Sequence, residues 1–287
     1  MQIDYSQIII ETINKLFSEL FSSMDKSLYY LLDKTVFISD SILSDPFFEK
    51  IFSSQYGIPA ITNSMLIGIF VYYCFKLYLA PFSGNYIEKP YQFLTKTLII
   101  AICINFSSFI CKELLNINSI ISDILRSLGA SVSNQEISFN TLISSSIYIN
   151  ESSEIYNFFS FNGLLKSFFS FGLINLLFSY TIRYMLIKVF ILISPFALLS
   201  LSINSTSWIF KSWARSFFSL LLVQNFIILI LTILFSLNVK SNNLFSQISY
   251  ISTIFILTKS NYYIKELLGG VSTDINTNLL NFRNLFK

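Results

Sequence analysis

The chain contains no histidine. That absence excludes triads built on histidine, His-ligated metal centres and haem held by a histidine before any pattern is read. Charge is scarce as well: Asp, Glu, Lys and Arg make up 12% of the sequence, about half the share of an ordinary soluble domain. Cysteine occurs three times, at Cys74, Cys103 and Cys111, with no CxxC pair. The last two stand eight residues apart on one apolar segment, roughly 12 Å of helical rise, which no disulfide spans. All three read as small apolar packing residues. GxSxG, P-loop and HExxH signatures are missing, as are paired aspartates inside apolar segments. A membrane enzyme is therefore not expected, and neither is a cofactor or a metal. Prolines fall only at the ends of apolar segments, without the broken helices in matched halves typical of secondary transporters.

What is present is apolar. Hydrophobic residues make up 53% of the chain, with 31 Phe, 16 Tyr and a mean hydropathy of +0.63. The fold class this predicts is all-α: a polytopic membrane protein with about five transmembrane helices, plus amphipathic helices in the N-terminal region and in a loop. The net charge of +3 is small and its basic residues are scattered, which does not suit a nucleic-acid-binding face.

Residues 1–57 differ from the rest. They hold eight acids and four bases, a net of −4, and the whole chain carries +3, so the other 230 residues carry +7. Asp4 and Glu11 have the wrong sign for the start of a signal peptide. Ile10, Ile13, Phe17, Leu20, Met24, Leu28 and Leu31 recur at helical spacing, so the region reads as an amphipathic helix that packs on a partner or lies on a membrane face. Apolar spans follow at about Ile58–Leu79, Phe93–Leu115, Phe168–Ile193, Phe217–Leu237 and Leu244–Leu257, against the roughly 20 residues that cross a hydrocarbon core. The fifth is short and serine-rich; it is either extended by its flanks or does not fully cross. Residues 116–167 form the long loop. Its first part has helical spacing (Ile117, Ile120, Ile121, Ile124, Leu128) and its second part is polar. Residues 259–287 form a short tail.

Both tryptophans lie in STSWIFKSWARSF, Ser205–Phe217. On a helix, Ile209, Phe210, Trp213 and Phe217 share one face, while Trp208, Lys211, Ser212 and Arg215 share the other. Indole rings beside cations suit the headgroup region of a bilayer, so Trp208, Lys211, Trp213 and Arg215 are candidate interface anchors. Lysine and arginine in the short loops favour an outside N-terminus and a cytoplasmic C-terminus. Inside the spans, Arg183 and Lys188 interrupt the third, and Gln224 and Asn225 stand side by side in the fourth. Arg183 either snorkels or pairs with a helix, or else lines a conduit. The amides either bond between helices or line a pore. Pro195 is expected to end or kink the third span.

This arrangement resembles the TrbL-type polytopic subunit of type IV secretion and conjugation systems. The segment RYMLIKVFILISPFALLSLSINSTSWIFKSWARSFFSLLLVQNF, Arg183–Phe226, carries the local likeness: an Arg-bearing span, SPFALL, a small polar turn, a Trp-centred basic segment and a long apolar span with Gln. Pro195 is similar to the proline closing the family's third span, and Trp213 to the tryptophan before the fourth. KELLGGVSTDI, Lys265–Ile275, is similar to a glycine-containing segment of some members. The likeness does not extend to the long C-terminal domains of larger members. The resemblance implies a non-enzymatic channel component in the bacterial cytoplasmic (inner) membrane. It would work as a homo-oligomer with other secretion subunits, including the ATPases, and pass DNA or protein. A small-molecule permease or holin-like pore is the other reading.

Overall fold

Apolar runs of this length have one economical solution in hydrocarbon, the α-helix, which bonds its own backbone. The computed structural model describes residues 5–39, 42–43, 45–52, 57–83, 89–142, 161–237 and 244–268. Among them no strand occurs, and the protein is an all-α membrane protein. Its helices are α1 (Tyr5–Val36), α2 (Pro46–Ile51), α3 (Ile58–Ser83), α4 (Pro90–Asn105), α5 (Ser107–Ser133), α6 (Phe161–Leu199), α7 (Ser207–Ser236) and α8 (Leu244–Leu268). Two short 3-10 turns, Ser200–Ser202 and Asn204–Thr206, connect α6 to α7.

Helices α5 to α8 form a bundle. Arg183 on α6 bonds the carbonyl of Leu220 on α7, and Trp213 on α7 bonds that of Phe190 on α6, so these two run antiparallel. Helix α8 runs parallel to α6: Gly172 abuts Ile254, and further along Tyr180 Oη donates to the carbonyl of Leu257. Helix α5 runs parallel to α7, because Asn118 pairs with Asn225 while Gly129, further along α5, abuts Thr232. The two ends of the bundle are thus a Trp208 end and a Thr232 end.

Among the described residues three helices, α3, α6 and α7, are long and apolar enough to cross a membrane, or four spans if α4 and α5 count together, beside the about five expected. The expected second span breaks at Phe106, where α4 and α5 meet at 65°. No glycine or proline causes the bend. The Asn105 side chain instead donates to the carbonyl of Ala101, and accepts from Asn63 Nδ2 at 3.0 Å, intruding on the helical ladder. The expected fifth span is extended by its flank: α8 continues to Leu268, so residues 259–268 belong to it rather than to a tail. Residues 269–287, most of the polar loop (143–160) and Lys240 lie outside the described residues.

Pro195 does not end its helix. Helix α6 passes through it to Leu199. A proline leaves the carbonyl four residues back without its N–H, and here the Ser194 hydroxyl takes that carbonyl, on Ile191, at 2.7 Å.

One further expectation changes. The loop stripe Ile117, Ile120, Ile121, Ile124 and Leu128 is exposed, whereas Cys111, Leu115, Asn118, Ser122 and Gly129 of α5 are buried against α7 and its neighbours. The end of the N-terminal helix packs on the bundle. Leu32 and Val36 join the core formed by α6, α7 and α8. Ile38, Ile42 and Phe48 then pack with Cys111, Ile187, Ile191 and Phe217. Of the stripe expected on α1, Ile10 and Leu31 are exposed.

Candidate functional site: a polar layer around the end of the first helix

Helix α1 stops inside the bundle, and a helix end carries carbonyls without partners. Residues 37–39, just beyond Val36, are irregular, and buried backbone groups there need partners from the protein. The side chains that supply them are those singled out by polarity in the apolar spans. Arg183 is fully buried. Its Nη1 donates to the carbonyl of Val36 at 3.1 Å, and its Nε to that of Leu220 at 2.8 Å. The cation also faces the negative end of the α1 dipole, equivalent to about half a unit charge. Of the readings for Arg183, pairing with a helix is the one found: the guanidinium turns inward to the end of α1 and to α7. Its Nη2 is left without a hydrogen-bond partner.

Gln224 and Asn225 point about 100° apart on α7, yet both are buried because protein lies on both sides. Gln224 Oε1 accepts from the Ile38 N–H at 3.1 Å and from Asn118 Nδ2 at 3.4 Å. Asn225 Nδ2 donates to Asn118 Oδ1 at 3.1 Å, and its Oδ1 accepts from Ser122 Oγ at 2.6 Å. The amides therefore bond between helices, the first of the two alternatives. Lys188 stays at the rim, 3.4 Å from Asp45 and 5.0 Å from the centre of the Tyr184 ring.

Asn118 and Ser122 were missed in the sequence, hidden beside the more conspicuous isoleucine stripe. Their signal was present in the run Cys111, Leu115, Asn118, Ser122, Gly129, a small or polar stripe at spacings of 4, 3, 4 and 7. A helix that buries such a stripe and exposes isoleucine is inside out for water and normal for lipid.

The Trp segment folds as its spacing predicts. Trp208, Lys211, Ser212 and Arg215 are exposed, Phe210 and Trp213 half-buried, and Phe217 buried. Of the inward set Ile209 alone remains exposed. Trp213 stacks on Phe217 at 5.5 Å and donates its indole N–H to Phe190 O at 2.9 Å, which fixes the α6–α7 hairpin. Lys96 of α4 reaches Asn204 at 2.7 Å, adding a cation to that end.

At the opposite side of the layer, Asp33 Oδ1 accepts from the Phe139 N–H at 3.2 Å, beyond the end of α5. Burial raises its pKa above the ordinary 3.8, with Glu136 adding to the rise while the Phe139 N–H and Arg126 oppose it. The folded chain thus holds this proton more tightly than the unfolded chain. Stability is gained as pH falls through the folded value and lost as it rises. Asp33→Asn keeps an acceptor for Phe139 and removes the buried charge. It is expected to unfold at a higher temperature than the natural chain at neutral pH, with the difference closing in acid. A thermal melt in detergent at both pH values checks this, and a lower midpoint for the variant at neutral pH contradicts it.

No family model, curated protein or solved structure matches this chain. What the layer can do chemically follows from its residues alone. Among those described, no three His, Cys, Asp or Glu side chains gather as a metal site. Except for Arg183 Nη2, the donors named here bond backbone and amide acceptors, which is the chemistry of holding a chain segment in place.

Proposed function

We propose that this protein is a membrane-embedded, non-enzymatic component of a type IV secretion (conjugative transfer) channel in the bacterial cytoplasmic membrane. It acts as an oligomer beside the system's ATPases and other subunits and helps DNA or protein cross. The observation that carries the reading is the Arg183–Phe226 hairpin. There an Arg-bearing helix, a small polar turn and a Trp-basic segment resemble the TrbL type, and the same residues form the rigid α6–α7 pair at the heart of the fold. Exposed Trp208, Lys211 and Arg215 support placing that end at the cytoplasmic face.

Clean deletion of the gene is expected to abolish transfer while the relaxase still nicks its DNA. Transfer at wild-type frequency rejects the reading, and loss of uptake of one nutrient instead points to a permease.

A further inference from the structure

The residues first suspected of lining a channel face inward, so a conduit must use another surface. Helix α5 supplies one. Its buried stripe is centred on Cys111, Ser122 and Gly129. At about 100° per residue, its remaining surface divides in two. Ile117, Ile120, Ile121, Ile124, Leu128 and Val132 lie on one side and are exposed. Lys112, Asn116, Ser119, Asp123, Ser127 and Ser131 lie on the other, all exposed except half-buried Ser119. The two stripes sit roughly 120° to either side of the buried one.

The depth of α5 gives this division its meaning. It runs parallel to α7, with Asn118 against Gln224 and Asn225, and Gly129 against Thr232. That pairing puts Asp123 level with the middle of α7, one of the candidate membrane spans. From Phe217 to Phe235, α7 exposes only Phe218, Leu222, Leu229 and Ile233, as a lipid-facing helix should. Helix α5, at the same depth, exposes isoleucine on one side and a carboxylate among hydroxyls and an amide on the other. Among the described residues no ion pair serves Asp123. A carboxylate at membrane depth faces water or a polar partner, not lipid. The stripe also opens at its Lys112 end into a cleft lined by Leu43, Phe48, Glu49, Phe52, Ser108 and Phe109.

We infer that the Lys112–Ser131 polar stripe of α5 lines a water-filled conduit enclosed between copies of this chain, with the adjoining isoleucine stripe against lipid. The inference rests on the proposed channel function and names the surface that performs it. A second copy is the fitting occupant because one α5 stripe is one wall of a lumen. Repetition around an axis supplies the others.

The test uses the full-length chain in its own membrane, with Cys74 and Cys103 replaced by serine and buried Cys111 retained. Single cysteines are placed at Asn116, Asp123 and Ser127, at Ile117, Ile124 and Leu128, and at Leu222 of α7. A membrane-impermeant thiosulfonate should modify the first set at least ten times faster than the second set and Leu222. A short bis-maleimide should join two copies through Ser127→Cys. Equal rates for Asp123→Cys and Ile124→Cys overturn the inference. So does rapid modification of Leu222→Cys, which would take α7 and its neighbour out of hydrocarbon, and so does a stripe that reacts without any cross-link. If the stripe reacts and cross-links while the gene deletion transfers normally, the conduit stands and the secretion reading falls.

Discussion

Arg183→Met is expected to free the end of α1 from the bundle. The substitution preserves apolar bulk but leaves the Val36 carbonyl buried with no donor. An unsatisfied buried group of this kind costs about 1–3 kcal/mol. Removing a buried cation is neutral or stabilising when its partner is removed as well. Here the partner is backbone and cannot be mutated away, so the loss stands. Nη2 already lacks a partner, which offsets part of the effect and sets the expectation toward the lower half of the range. Arg183→Lys should fall between the two, because one ammonium cannot reproduce a planar fork that reaches Val36 and Leu220 at once. Limited proteolysis in detergent should cut the variant between residues 37 and 45 while α6 and α7 stay intact. A cleavage pattern and melting temperature identical to the natural chain would remove the assigned role of Arg183.

Gly129→Val should part α5 from α7. A Cβ at this position would collide with Thr232 Oγ1 and lie 2.9 Å from Ile137 Cγ1. Both neighbours belong to packed side chains with little room to turn. Overpacking of this sort costs about 1–3 kcal/mol for small additions, so Gly129→Ala should fall in that range and Gly129→Val above it. Pairing Gly129→Ala with Thr232→Ala should recover part of the loss, since one of the two collisions disappears. Melting temperatures of the four proteins test the coupling, and strict additivity would show that the two positions do not touch. Gly68, by contrast, has open space where its Cβ would stand, and Gly68→Ala serves as the control without a clash, with helix propensity alone favouring the alanine.

The parts of this structure legible in the sequence are those governed by one helix at a time. The class of fold, the existence of α6 and α7 and the two faces of the Trp segment all follow from periodicity, which is local. So does the expectation that at least one of two adjacent amides must meet protein. Features set by distant partners were not legible. The bend at Phe106 depends on Asn63 meeting Asn105, 42 residues away. The survival of the helix through Pro195 depends on which way one serine hydroxyl turns. The burial of Asn118 rather than Ile117 depends on the amides of α7, more than 100 residues later.

The docking of the first helix constrains the order in which the protein can be made. The Val36 carbonyl waits for a donor 147 residues downstream, and the Ile38 N–H for an acceptor 186 residues downstream. A ribosome releases these N-terminal groups long before α6 and α7 exist. During most of synthesis the end of α1 therefore has nowhere to settle, and only the arrival of Gln224 completes its berth. A chain that stalls before α7 is left with the Ile38 N–H lacking its Gln224 acceptor and the end of α1 lacking much of its core.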